Sequence, residues 1–213
     1  MIRKQVIRQN YHYEEKLWNE GFRRVMGLDE VGRGCLAGPV VAAGVILVPG
    51  SRLNGIRDSK KLSAAYRQEL AAEIREKALF WTVQESSVAE ISEINILKAS
   101  LLAMRRCTEA ENASPEYLLV DGNAHIGSII PGNCIIGGDD LSASIGAASI
   151  LAKVYRDRLM VQMHELYPHY GWNRNVGYPT RKHKEGLRKF GFCKYHRTGF
   201  RLGTDTLYIQ PQE

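Results

Sequence analysis

A mixed α/β sheet with helices on its faces is the fold class that this 213-residue chain predicts. Short apolar runs of strand length come first and then alternate with longer stretches of helical period. Two of the runs, Tyr117–Val120 and Cys134–Ile136, are stopped by Asp121-Gly122 and by Gly137-Gly138-Asp139, as buried strands ending in an acid would be. A chain of this length buries roughly 70% of its unfolded surface, so one domain stands without disulfides or a structural metal. Its 44% apolar and 24% charged composition excludes a disordered, fibrous or coiled-coil chain.

In chain order, Val25–Val31 and Pro39–Val48 read as strands joined as a hairpin through Gly32-Arg33-Gly34. Ser63–Leu79 reads as an amphipathic helix, Phe80–Val88 alternates as a strand, and Ile94–Ala110 is a second helix. After Ser142, the residues Ile145, Ala148, Ala152, Tyr155, Leu159, Met163 and Leu166 recur every three or four positions, a helix packed on a sheet that Tyr167-Pro168 ends. There is no internal repeat. The expected organisation is one domain over 1–213, with a core at about 20–166 and a basic, aromatic-rich extension at about 167–213.

The net charge of +6 is concentrated. Gly171–Arg201 holds Arg174, Arg181, Lys182, Lys184, Arg188, Lys189, Lys194, Arg197 and Arg201 against Glu185 alone, interleaved with Trp172, Tyr178, Phe190, Phe192, Tyr195 and Phe200. Cations that release counterions from phosphates, next to rings that stack, have the character of a nucleic-acid footprint; a solvated face with aromatics turned inward is the plain alternative. Cys35, Cys107, Cys134 and Cys193 form no C-x-x-C pair, no secretory h-region opens the chain, and no apolar run reaches spanning length. A reducing, cytoplasmic setting without a membrane is expected.

Ligands in open α/β sheets gather outside strand ends, which singles out Asp29, Glu30, Asp121 and Asp139. Asp29 and Glu30, set between Leu28 and Val31, must be paired or bind a cation if half-buried. Strand alternation sends them to opposite faces, so both reach one ion cluster only where the strand twists or ends. The plain alternatives are a salt-bridged pair, a turn-forming Asp121 and a dipole-relieving Asp139. Four oxygen-ligand residues with no clustered His or Cys describe a site for a hard cation, Mg2+ or Mn2+. Gly32-x-Gly34 lacks the dinucleotide-binding spacing.

Gly27-Leu28-Asp29-Glu30-Val31-Gly32-Arg33-Gly34 and Leu36-Ala37-Gly38-Pro39-Val40-Val41 together resemble the opening signature of type 2 ribonuclease H, the bacterial ribonuclease HII family. Asp58-Ser59-Lys60-Lys61-Leu62-Ser63, Val120-Asp121-Gly122, the run from Ala147 to Val154, and Gly177-Tyr178-Pro179-Thr180 with His183 follow in the family's order. The resemblance implies a ribonuclease H-like fold with a small helical C-terminal extension. It also implies cleavage of RNA in RNA–DNA hybrids and 5′ to single ribonucleotides embedded in duplex DNA, leaving 3′-OH and 5′-phosphate ends, with a role in ribonucleotide excision and primer removal. Asp29, Glu30, Asp121 and Asp139 then become the catalytic and metal-binding acids for two divalent ions, Mg2+ or Mn2+, with Asp140 open as the alternative fourth ligand. Gly32, Arg33, Gly34, Lys60, Lys61 and Tyr178 become the substrate-binding set: the glycine turn reads the ribose, and Tyr178 stacks on the following deoxyribose. A monomer is expected, with a sliding clamp left open as a partner. Asn175-Val176, where the family commonly has His-Lys, and Thr198-Gly199-Phe200, in place of an Arg-Ser-Phe-like ending, are departures. A different two-metal nuclease on the same fold and a non-catalytic binding module remain the rival readings.

Overall fold

The computed structural model describes residues 11–56 and 62–199. They form α1 (His12–Asn19), β1 (Val25–Val31), β2 (Val40–Ile46), α2 (Ala64–Lys77), β3 (Phe80–Ser86), α3 (Val88–Thr108), β4 (Tyr117–Asp121), β5 (Gly132–Ile135), α4 (Gly138–Leu141), α5 (Ala143–Leu166), α6 (Trp172–Asn175) and α7 (Arg181–Phe190). The sheet order is β3-β2-β1-β4-β5. β1 lies between an antiparallel partner, β2, and a parallel one, β4. β3 and β5 add the edges, antiparallel and parallel respectively. The expected mixed sheet and its hairpin are both present.

Covered on both faces, β1 alternates between two cores, as period two demands. Val25 joins the layer beneath α1, α2 and α5, whereas Met26 and Leu28 join the layer beneath α3. α5 lies so close to β1 that a Cβ on Gly27 would fall 2.2 Å from the Ser144 carbonyl carbon. Glu14 of α1, fully buried, caps the start of α5: its Oε1 accepts from the Ser144 N–H at 2.9 Å and from the Ser144 hydroxyl at 2.6 Å. A third small core joins Leu36 and Ala37 to Met160, Tyr170, Trp172 and Leu187, tying the C-terminal extension to the loop after β1.

Several elements differ from their sequence-based expectation. α1 was not anticipated; its eight residues are mostly polar, and the charge of Glu14 conceals a buried position. α3 begins at Val88 under a Ser87–Glu90 capping box, and Asn95 breaks it at φ 68°, capping the onward segment by accepting from the Leu97 and Lys98 N–H groups. β5 is an edge strand with Asn133 and Cys134 exposed, not a buried one. On α5 the buried stripe runs through Ala148, Ala152, Arg156 and Met160, while Tyr155 is exposed. Asp157 pairs with Lys153 at 2.7 Å as an i,i+4 neighbour, both side chains half-buried. All four cysteines are free. Among the described residues, no helix is long and apolar enough to cross a membrane.

Gly27→Ala is expected to cost about 1–3 kcal/mol through overpacking against the α5 backbone, read as a fall in Tm of roughly 2–12 °C in thermal unfolding. An unchanged Tm would contradict so close an approach of helix to strand.

Candidate active site

Parity within β1 decides where the acids go. Asp29 shares the face of Val25 and Gly27, so it looks toward α5, where the Ser149 side chain hydrogen-bonds to it. Its Oδ1 also accepts from the Glu30 N–H at 2.7 Å. β4 runs alongside in register, Leu28 beside Val120, so Asp121 follows next to Asp29 at the carboxyl ends of both strands. Asp121 Oδ1 in turn accepts from the Gly138 N–H at 2.7 Å and thereby fixes the turn that carries Asp139. α5 closes on that turn because Gly146 has no side chain: a Cβ there would sit 2.8 Å from the Asp139 carbonyl oxygen.

Glu30 turns the other way, and Arg33 Nη1 stands 3.3 Å from its Oε1. The salt-bridged alternative therefore describes Glu30, whereas the largest influences on Asp29 among the described residues are burial, its acidic neighbours and Ser149. Burial, followed by the charges of Glu30 and Asp121 and, more weakly, Asp139, holds the Asp29 carboxyl well above the usual carboxylate range. Glu30 is also raised, by burial and less by Asp121, against the pull of Arg33. Asp140 is exposed, and Asp139 is the residue of the two whose charge acts on Asp29. In donor type and charge the group suits a hard divalent cation. Among the described residues, no three or more His, Cys, Asp or Glu side chains are placed so that they could hold one metal ion; the acids neighbour one another without sharing a single centre.

Beside the acids lies the Gly32–Gly34 turn. Gly32 has φ +101°, and a Cβ on it would strike Arg156 Nε at 2.3 Å, so glycine is required twice over. Tyr178, 38% exposed, faces the turn: its Cε1 is 3.6 Å from where a Gly34 Cβ would be. Two fully buried guanidiniums brace the loop from behind. Arg156 donates to the carbonyls of Pro39 (3.1 Å), Val176 (2.8 Å) and Ala37 (3.0 Å). Arg197 donates to those of Gly38 (2.8 Å), Arg33 (3.1 Å) and Pro39 (3.1 Å).

Arg197 was expected among the phosphate-facing cations and is instead wholly internal; with Arg156 it donates six hydrogen bonds to five main-chain carbonyls, that of Pro39 accepting from both. Trp172 likewise belongs to the core, not to a stacking surface. Arg174, Arg181, Lys182, Arg188, Lys189 and Lys194 remain exposed. Lys60 and Lys61 lie outside the described residues. Asn175, at one of the departures, is structural: its Nδ2 donates to the Tyr170 carbonyl at 2.8 Å, and its Oδ1 accepts from the Gly177 N–H at 2.9 Å. Sequence reasoning missed Arg156, Ser149 and His196. For Arg156 the signal was a cation in phase with the apolar stripe; for the other two no local signal exists.

A ribonuclease HII family model matches residues 26–202. A ribonuclease HII of Moorella thermoacetica is 50% identical over 191 residues, covering 90% of this chain and 93% of that one. Among solved structures, the PCNA:RNase HII complex from Archaeoglobus fulgidus aligns with a TM-score of 0.70 at 26% identity, covering 86% of this chain and 98% of that one. Ribonuclease H2 from Pyrococcus horikoshii aligns with a TM-score of 0.70 at 23% identity over 84% and 94%, a likeness of fold. With the family match running from the central strand through the C-terminal extension, and half of all residues shared across nine-tenths of the length, this chain belongs to the ribonuclease HII family.

Proposed function

We propose that this endoribonuclease of RNA–DNA hybrids also cuts 5′ to single ribonucleotides embedded in duplex DNA, leaving 3′-hydroxyl and 5′-phosphate ends, and so serves ribonucleotide excision and primer removal. The observation that carries the reading is the convergence of Asp29, Asp121 and Asp139 beside a glycine turn that Tyr178 faces. Glu30 completes the set from the far side of β1.

Asp29, Glu30, Asp121 and Asp139 would hold two divalent ions, Mg2+ or Mn2+, which supply activation of the attacking water and charge relief on the leaving oxygen. Asp29 is the acid on which Glu30, Asp121 and Asp139 all act, so it would help to hold both ions. Asp139 is favoured over Asp140 because its charge reaches Asp29. The turn supplies the ribose test. Arg197 holds the Arg33 carbonyl, and in a trans peptide the Gly34 N–H then points the opposite way, free of side-chain bulk, toward an incoming 2′-hydroxyl. Tyr178 offers its ring to the next sugar, and Arg33 and the exposed cations of the extension offer charge to the backbone phosphates. Lys60 and Lys61 are proposed as further phosphate contacts on sequence grounds. The protein is proposed to act as a monomer, and the PCNA complex of the Archaeoglobus relative supports a clamp-type partner.

The decisive assay is duplex DNA with one ribonucleotide, incubated with Mg2+ or Mn2+ and followed by mapping of the nick. Cutting of an all-DNA branched substrate instead would favour a different nuclease of this fold. Asp29→Asn is expected to lower the rate by at least about 10²-fold, the scale of losing one charge-stabilising group, with hybrid binding largely kept.

Linkage gives Asp29 a second signature. A carboxyl that keeps its proton to higher pH folded than unfolded makes the folded state lose stability as pH rises from the ordinary carboxylate range through its own raised value. Without divalent ions, Asp29→Asn is therefore expected to melt above the wild type at pH 7, with the gap narrowing toward pH 4. Added Mg2+ should raise Tm more in the wild type; a variant melting below the wild type at both pH values would count against the reading.

If the six exposed cations of the extension track the substrate backbone, hybrid affinity should fall by about 10³-fold between 50 and 200 mM salt. Flat binding over that range would remove the extension from the interface.

A further inference from the structure

His183 is fully buried beneath the turn that carries Tyr178, and the groups around it allow one arrangement of protons. The Cys193 N–H points at His196 Nδ1 from 3.0 Å, so that nitrogen carries a lone pair and the His196 proton is on Nε2. A proton on Nδ1 would reach the Cys193 carbonyl only at 3.3 Å while confronting that N–H. His196 Nε2 stands 3.2 Å from His183 Nε2, and the indole N–H of Trp172, which can only donate, reaches the same atom from 3.0 Å. His183 Nε2 is thus an acceptor, and its proton is on Nδ1, 2.9 Å from the Tyr178 carbonyl oxygen. Both rings are neutral: burial lowers His183, and burial together with the neighbouring His183 lowers His196 to about 3.

The turn needs such a hold. Val176 stands at φ +43°, a left-handed conformation that a β-branched residue rarely takes. The Tyr178 N–H donates to the Asn175 carbonyl at 2.8 Å, and the Tyr178 carbonyl accepts from the Thr180 N–H at 2.8 Å as well as from His183. The backbone of Tyr178 is therefore gripped from inside the extension, while its ring projects toward the Gly32–Gly34 turn.

We propose that His183, locked in one tautomer by Trp172 and His196, is a positioning residue for Tyr178, its Nδ1–H fixing the peptide that aims the ring at the sugar following the ribonucleotide. This rests on the reading of Tyr178 given above. Asparagine can place Nδ2 where Nδ1 stands, phenylalanine offers no donor, and glutamine offers one too far along the side chain. The test compares kcat/KM on a single embedded ribonucleotide with kcat/KM on a continuous RNA–DNA hybrid.

His183→Phe should lower that ratio by the same factor as Tyr178→Ala and add nothing to it in the double variant, whereas His183→Asn should keep the ratio within about threefold of wild type. Equal losses on both substrates, or multiplicative losses in the double variant, would make His183 a stability residue only and overturn the proposal. If His183→Phe does not fold, His183→Asn against His183→Gln decides: the ratio survives in the first and falls in the second, and equal ratios overturn the proposal. Should Tyr178→Ala itself leave the ratio unchanged, the reading of Tyr178 falls and this proposal with it. A normal Tyr178→Ala effect with no His183→Phe effect removes this proposal alone.

Discussion

Like charges gathered where water is scarce repel one another, and this protein holds several of them on one small patch of sheet. Asp29 and Asp121 stand side by side because two parallel strands run in register up to Leu28 and Val120, and Asp139 joins them because Asp121 itself accepts from the Gly138 amide. Burial and the neighbouring acids together hold the Asp29 carboxyl against ionisation. Keeping such a group assembled requires rigid surroundings. They come from α5, pressed onto β1 at Gly27 and onto the Asp139 turn at Gly146, with its first turn tied to α1 through Glu14. Packing supplies the geometry, and the unfavourable electrostatics gives a hard cation its affinity.

A few residues away the sign of the buried charge reverses. Arg156 and Arg197 are inside the protein, where a guanidinium costs desolvation energy unless its N–H groups find acceptors. The acceptors are main-chain carbonyls of the loop after β1, so the same hydrogen bonds that satisfy the guanidiniums also set the orientation of successive peptide planes. Neutral donors could fill some of these roles, but the planar fork of arginine reaches several carbonyls from one side chain. The acid group and the glycine turn thus rest on one scaffold, in which α5 contributes Ser149 to the first and Arg156 to the second.

Much of this was legible in the chain itself. Apolar runs either side of a glycine turn revealed β1 and β2, period two revealed β3, and acids at the ends of apolar runs pointed to Asp29, Asp121 and Asp139, since strand ends gather ligands whatever the family. What escaped was carried by tertiary contact. Arg156 fills an apolar phase, but a charged residue is read as solvated until the five main-chain carbonyls that it and Arg197 reach are seen. Glu14 was hidden for the same reason. The helix start at Val88 was obscured because Asn95 interrupts the period, leaving only the stretch beyond it looking continuous. The His183–His196 pair joins residues with no common periodicity, and only the folded extension brings their ring nitrogens together.

The bond from Arg197 to the Arg33 carbonyl joins positions 164 residues apart. On a ribosome, the strands bearing the acids emerge long before this guanidinium does. A nascent chain can therefore assemble its sheet early yet lack the brace behind the loop after β1 until translation has passed position 197, which makes that loop one of the last parts of the growing polypeptide to be fixed.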